Sequence, residues 1–382
     1  LVTRVSVDPG TAAWARKRIS LSVSEAAQRI GVDPDLIELF ERGELEPSIG
    51  QFRKMASVYT LPEAALLGGI PTRDTPLPQD FRSFDGKAVA LSYTTARVCR
   101  LVQSRQQTLE YLSDLDSDVI PPELKVLTLS SNPEAEGRAM RAELGMSIDE
   151  QRSLTAQKAL VRWRTIVENL GISVYVEALG DDGARGLSVF FNAFPAIVID
   201  QNEKDHGARL FTLFHEFAHI LLRKEGISDL NNKSRVESYC NRFSAAFLMP
   251  PEAVATVFTK GAPEPSIEQL SSAAKRLCVT ISQLALRLEH LNYVTTGYYK
   301  RVTSALNFSK GQKPRSGQGP EYRYVYISQY GQHLTKTVLN ALESGHIEAV
   351  EAARMLNAKP SHFRDFMATI KERNPLPLDI VA

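Results

Sequence analysis

Cysteine is scarce in this chain of 382 residues, with Cys99, Cys240 and Cys278 as the whole complement. An odd number at no paired spacing excludes a disulfide scaffold and points to a reducing compartment. Long apolar runs are also missing. No stretch reaches the eighteen or so apolar residues of a spanning helix, and no signal-peptide pattern opens the chain. Excess charge of either sign is absent, with 45 Lys and Arg against 44 Asp and Glu. That balance gives no global attraction to nucleic acid or to an anionic membrane, so binding of either kind needs a local patch. No fixed-period repeat occurs. What remains is ordinary globular material, 43% apolar and 23% charged, which excludes wholesale disorder. The length suits two or three domains. The expectation is a soluble cytoplasmic protein with no membrane partner.

Punctuation divides the chain. Residues 1–72 read as a small all-helical domain. Residues 73–129 start in the Gly- and Pro-rich linker that follows Gly68-Gly69 and continue into a long helix at 91–115. A helical stretch at 133–170, with Asn132 as a cap, opens a domain at 130–295. At Gly171 the period changes, and 172–177, 187–191 and 196–199 read as β-branched and aromatic strands. Helices at 207–224 and 234–248 follow, then a helical pair at 266–291. Residues 296–320 carry Lys300, Arg301, Lys310, Lys313 and Arg315 with no acid and read as a flexible basic loop. Residues 321–382 give a strand at 322–327 and three helices, at 334–342, 347–356 and 360–370.

The chemistry concentrates in Phe214-His215-Glu216-Phe217-Ala218-His219. Residues i and i+4 stack on one helical face, so one turn presents the imidazoles of His215 and His219 at a separation that a tetrahedral zinc ion bridges. Glu216 lies beside them, where a carboxylate takes a proton from an attacking water. The motif arises by chance in about 1% of chains of this length and composition, so it is read as a site. Leu210, Leu213, Phe214, Phe217, Ile220 and Leu221 form one apolar stripe, with the motif on the opposite side.

Catalytic zinc takes a third protein ligand and keeps a position open. On the next helix Val236, Tyr239, Cys240, Phe243, Ala246 and Phe247 make the apolar stripe. Glu237 and Asn241 are left one turn apart on an adjacent face. Glu237 is the preferred ligand, ahead of Glu225 and Asp229 in the intervening turn. Asn241 is placed to orient a ligand imidazole, and Cys240 falls in the core. Such a site hydrolyses peptide bonds, with Glu216 carrying the proton to the leaving amine. Residues 195–199 are expected to form either a core strand or an edge strand to which an extended substrate adds. His206, Arg209 and Tyr239 are candidate donors to the oxyanion.

These segments, Phe211 to Leu222 and Val236 to Pro250, resemble the ImmA/IrrE family of zinc metallopeptidases. The resemblance extends through Trp163-Arg-Thr-Ile-Val-Glu-Asn-Leu-Gly-Ile-Ser-Val-Tyr175. It implies that His215, His219 and Glu237 bind Zn2+ with Glu216 as the base. Ala218 stands where that family usually has Gly, Cys240 where it has Ala, and Arg223 where a His often follows. None of these departures touches a ligand. The implied fold class is mainly α (α+β), with a zincin-like peptidase core around a small β-sheet, between an N-terminal five-helix bundle and a C-terminal strand-plus-helices domain.

Residues 22–31 and 33–42, joined at Gly31-Val32, have helix-turn-helix grammar, with Ala26, Ala27 and Ile30 facing Leu36, Ile37 and Phe40. With Trp14-Ala-Arg-Lys-Arg18, Phe40-Glu-Arg-Gly43 and Pro47 they resemble the XRE helix-turn-helix family, which implies a DNA-binding fold. The chemistry runs against that use. The second helix begins Asp33-Pro34-Asp35 and carries Glu38 and Glu41, whereas base readout and phosphate contact rely on cations and amides. Residues 1–70 hold eight Lys and Arg against nine Asp and Glu, leaving little non-specific affinity to build on. The surface suits a protein partner or a homodimer better than an operator. The tail at 347–366 repeats the outline, and Lys359, Arg364 and the basic loop make it the better electrostatic candidate for nucleic acid.

The order of an XRE-like domain, Asp80-Phe81-Arg82 after a Pro-rich linker, and a peptidase looks like an architecture found beside toxin genes and phage-type repressors. The expected function is therefore a zinc endopeptidase that cuts a specific regulatory protein, a repressor or toxin-system partner. The alternative is an antitoxin or regulator that holds its partner or operator DNA without cutting.

Overall fold

The computed structural model describes residues 3–70, 91–180, 184–190, 193–223, 226–228, 235–308, 330–358 and 363. These residues are mainly helical with one small sheet. It divides into two compact units, one of Leu1–Arg105 with Ala178–Ala184 and one of Gln106–Glu177 with Arg185–Ala382.

In the first unit, α1 (Pro9–Arg18), α2 (Val23–Ile30), α3 (Pro34–Arg42) and α4 (Ile49–Tyr59) precede a 3-10 turn at Glu63–Leu66. Each helix starts where a short polar side chain satisfies free backbone N–H groups. Asp8, Ser22, Asp33 and Ser48 are those caps, and Ser22 with Glu25 and Ser48 with Gln51 close full capping boxes. Gly31 and Gly43 end α2 and α3 at φ 80 and 72, the left-handed region that a side chain disfavours. Ala26, Ala27, Ile30, Ile37 and Phe40 are buried in one cluster, with Leu36 packed against it. Beneath α3, Arg16 clasps Glu41 through two bonds of 2.6 and 2.7 Å. Glu41 therefore belongs to the interior of the unit, while Asp33, Asp35 and Glu38 stay exposed. Residues 93–105 of α5 (Tyr93–Leu115) close the unit, with Tyr93 Oη donating to the Val58 carbonyl at 3.0 Å.

The second unit holds α6 (Pro133–Leu144), α7 (Ile148–Ser153) and α8 (Ala156–Asn169), three helices where the sequence suggested one stretch. Gly145 at φ 80 ends the first, and Ser147 and Thr155 cap the others. The strands β1 (Ser173–Glu177), β2 (Gly186–Val189), β3 (Ala196–Asp200) and β4 (Gly226–Ser228) form one sheet in the order β1-β3-β2-β4. β1 and β3 run parallel, and β2 is antiparallel to both β3 and β4. The helices α9 (His206–Leu221) and α10 (Arg235–Leu248) follow, then α11 (Pro251–Ala255), α12 (Ile267–Leu277) and α13 (Ile281–His290).

One open alternative is decided here, and one expectation changes. The strand at 195–199 is no edge: β3 lies between β1 and β2, and residues 196–199 are buried. Its apolar run is that of a strand covered on both faces, and no substrate strand can add to it. The expected basic loop at 296–320 starts as a helix, α14 (Tyr298–Phe308), and residues 309–320 lie outside the described residues. Tyr298 and Val302 are buried one turn apart, Glu289 accepts the N–H groups of Gly297 and Tyr299, and Arg301 pairs with Glu264 at 2.7 Å. The basic residues had masked an apolar stripe at helical spacing.

Farther along, helix Gln332–Glu343 belongs to the same unit, and Ala349–Met355 follows it. The buried Glu168 carboxylate accepts from the Gln332 N–H at 2.8 Å and from the Val174 N–H at 3.4 Å, tying that helix to β1. The strand expected at 322–327, the helix at 360–370 apart from residue 363, and the linker with Asp80-Phe81-Arg82 lie outside the described residues.

Candidate metal centre

The site depends on how α9 and α10 are pressed together. Phe214 of α9 stacks on Phe247 of α10 with ring centroids 3.8 Å apart. Trp163 of α8 meets both edge-on at 5.1 and 4.9 Å. Such pairs contribute about 0.5–1.5 kcal/mol each beyond their buried area, and they fix the rotation of one helix against the other. On its far side α10 packs against α6 so closely that a Cβ on Gly137 would sit 2.5 Å from the Phe243 carbonyl oxygen. Arg287 of α13 then ties α6 down through bonds of 2.6 and 2.9 Å to Glu134.

Every residue of α9 from Gly207 to Leu221 is buried, on the side that carries the motif as well as along the apolar stripe. The helix packs against the sheet as well as against α8 and α10. His215, Glu216, His219 and Glu237 are all fully buried. A surface role for the two imidazoles is thereby excluded.

His215 Nε2 lies 3.0 Å from one Glu237 carboxylate oxygen, and His219 Nε2 lies 3.2 Å from the other. The two Nε2 atoms are 3.2 Å apart. These lone-pair donors all fall within 4.8 Å of one another. Burial holds the His215 imidazole below its ordinary pKa, so it is a neutral donor. Burial alone would raise the Glu237 carboxyl, but hydrogen bonds with the two imidazoles outweigh it and take its pKa down to about 2. Two imidazoles and an ionised carboxylate, converging within this distance, are the donor set of a divalent metal site. Asn241, one turn beyond Glu237, hydrogen-bonds the His215 side chain. Glu216 is on the same turn of α9 and faces β2, where Gly186 leaves room for its carboxylate.

The remaining sequence candidates are not gathered here. Arg209 donates to the carbonyls of Glu203 and Gln201 at 2.6 and 2.9 Å. Tyr239 Oη bonds Ser131 Oγ at 2.7 Å, and it lies about 200° around α10 from Glu237. His206, at the first position of α9, is about 13 Å along the axis from His215 and faces the Lys204 carbonyl. Glu225 and Asp229 lie outside the described residues. Cys240 is buried, with its thiol pKa pushed well up by desolvation, as its place on the apolar stripe implied. Sequence reasoning passed over Gly186, Gly137 and the Glu134–Arg287 pair. An isolated glycine at a strand start is a signal of close backbone approach, and it was the only one available.

Residues 167–289 match the family model described as the IrrE N-terminal-like domain, a family of peptidases. The match spans β1 to α13 and includes all four buried site residues. No curated protein matches the chain.

Proposed function

Since residues 167–289 match the IrrE N-terminal-like peptidase family, we propose that the protein is a zinc-dependent endopeptidase. In this reading it cuts a specific regulatory protein of the cytoplasm, a repressor or a toxin-system partner. The observation that carries it is the convergence of His215, His219 and Glu237 within 4.8 Å beside the buried carboxylate of Glu216. A site that only stabilised the fold would have no use for that second acidic group.

His215, His219 and Glu237 would hold Zn2+, and Asn241 would keep the His215 ring turned toward it. When bound, the ion supplies Lewis acidity to the scissile carbonyl and to the attacking water. Glu216 takes the proton from that water and delivers it to the leaving amine. The Trp163, Phe214 and Phe247 cluster holds α8, α9 and α10 together around these residues. β4 is the outermost strand beside β2 among the described residues, so an extended substrate is assigned to β4 and not to β3.

For the first unit, the exposed acids of α3 favour a protein partner or a second copy of the chain over DNA. An electrophoretic shift with duplex DNA at two salt concentrations separates these. DNA held at low salt would restore the operator reading.

Incubating the zinc-loaded protein with a proteome-derived peptide library tests the proposal. Sequence-selective cleavage that stops with a chelator and returns with zinc is the expected result. An untouched library, with a stable uncleaved complex recovered from folded protein, favours a regulator that binds without cutting.

A further inference from the structure

β2 brings Gly186 directly against α9. A Cβ at this position would lie 2.6 Å from Thr212 Cγ2, 2.8 Å from Glu216 Oε1 and 3.0 Å from Glu216 Cγ. The backbone does not demand glycine, because Gly186 is not among the residues at positive φ. Only the space demands it. Strand alternation puts Ser188 on the same face, so that face carries the two smallest side chains of β2.

Little around Gly186 can yield. The residue is held in register opposite Ile199 on β3 and Ser228 on β4. Thr212 is buried, and its Oγ1 donates to the Ala208 carbonyl at 3.1 Å, which fixes its rotamer. The movable group is the Glu216 side chain, with three torsions and a carboxylate at its end. From this geometry we infer that Gly186 is a positioning residue for Glu216. Its missing side chain sets where the carboxylate rests beside His215, His219 and Glu237. The inference rests on Glu216 acting as the base.

Gly186→Ala tests it, using the library peptide that the unaltered protein cleaves most readily. The expected result is a fall in kcat on the order of 100-fold, the scale of an ångström's misplacement of a reacting group. KM should stay within about twofold, since only the chemical step is touched. Zinc content and the visible spectrum of the cobalt-substituted protein should be unchanged, because no ligand moves. If the single variant folds poorly, Gly186→Ala with Thr212→Ser removes the nearest methyl and leaves the carboxylate as the main conflict. The same loss of kcat is then expected. Full turnover by folded Gly186→Ala, with Glu216→Gln inactive, overturns the inference. So does a loss of zinc that parallels the loss of turnover. Turnover retained by Glu216→Gln removes the base reading itself, which separates the two failures.

Discussion

His215 Nε2 lies 3.0 Å from the Glu237 carboxylate, across from one helix to the next and 22 residues along the chain. Both residues are fully buried. Their separation is therefore set by whatever fixes α9 against α10, and not by either side chain alone. Changes remote from the centre should act on it through that helix pair.

Asn241→Ala removes the amide that hydrogen-bonds His215 and leaves the three donor atoms in place. Loss of an outer partner of this kind typically lowers metal affinity about 10–100-fold. Competition with a chromophoric chelator should show a fall in that range, with the thermal transition of the metal-free protein little changed.

Gly137→Ala drives a methyl into the α10 backbone at Phe243. Backbone cannot step aside as a side-chain tip can, so α6 and α10 must separate. The cost should be about 1–3 kcal/mol, read from urea unfolding. Zinc affinity should fall with it, because α10 carries Glu237.

Glu134→Gln leaves the Arg287 guanidinium buried without its anion. Breaking such a pair costs about 3–5 kcal/mol when both partners are buried. The Glu134 side chain is 36% exposed, so the lower end is expected. Arg287→Met, which removes the charge along with the pair, should cost less than Glu134→Gln.

His333 of helix Gln332–Glu343 is held down to about pKa 4 by burial and then by Lys336. The unfolded chain takes up this proton near 6.5, before the folded chain does, so the contribution is intact above pH 6.5. It is lost progressively as pH falls toward 4. His206, His215 and His290 are shifted in the same sense. His333→Asn, which can keep a bond to Ser173, should therefore flatten part of the fall in Tm between pH 6.5 and 4.

Much of the centre was legible in the sequence because it rests on local periodicity. The i, i+4 spacing of His215 and His219 needs only a helix, and Glu237 stands out as an acid off the apolar stripe of α10. Strand order is different. A short apolar run reads alike at the edge or the middle of a sheet, and β3 is central because β2 folds back beside it. The burial of α9 on every side follows from elements above and below it, which its own sequence does not name. Gly186 and Gly137 matter for what crosses opposite them, and only the packed structure supplies that. At 298–308, Lys300 and Arg301 at the head of a basic stretch that continues to Arg315 concealed the Tyr298 and Val302 spacing that makes a helix.

The most direct measurement is zinc per chain alongside peptide cleavage for four proteins: the unaltered chain, Glu216→Gln, His219→Ala and Glu237→Ala. The account predicts one zinc and cleavage for the first, and one zinc without cleavage for Glu216→Gln. It predicts loss of both for the two ligand variants. Zinc retained at full affinity by His219→Ala and Glu237→Ala, or cleavage undiminished in Glu216→Gln, would contradict it.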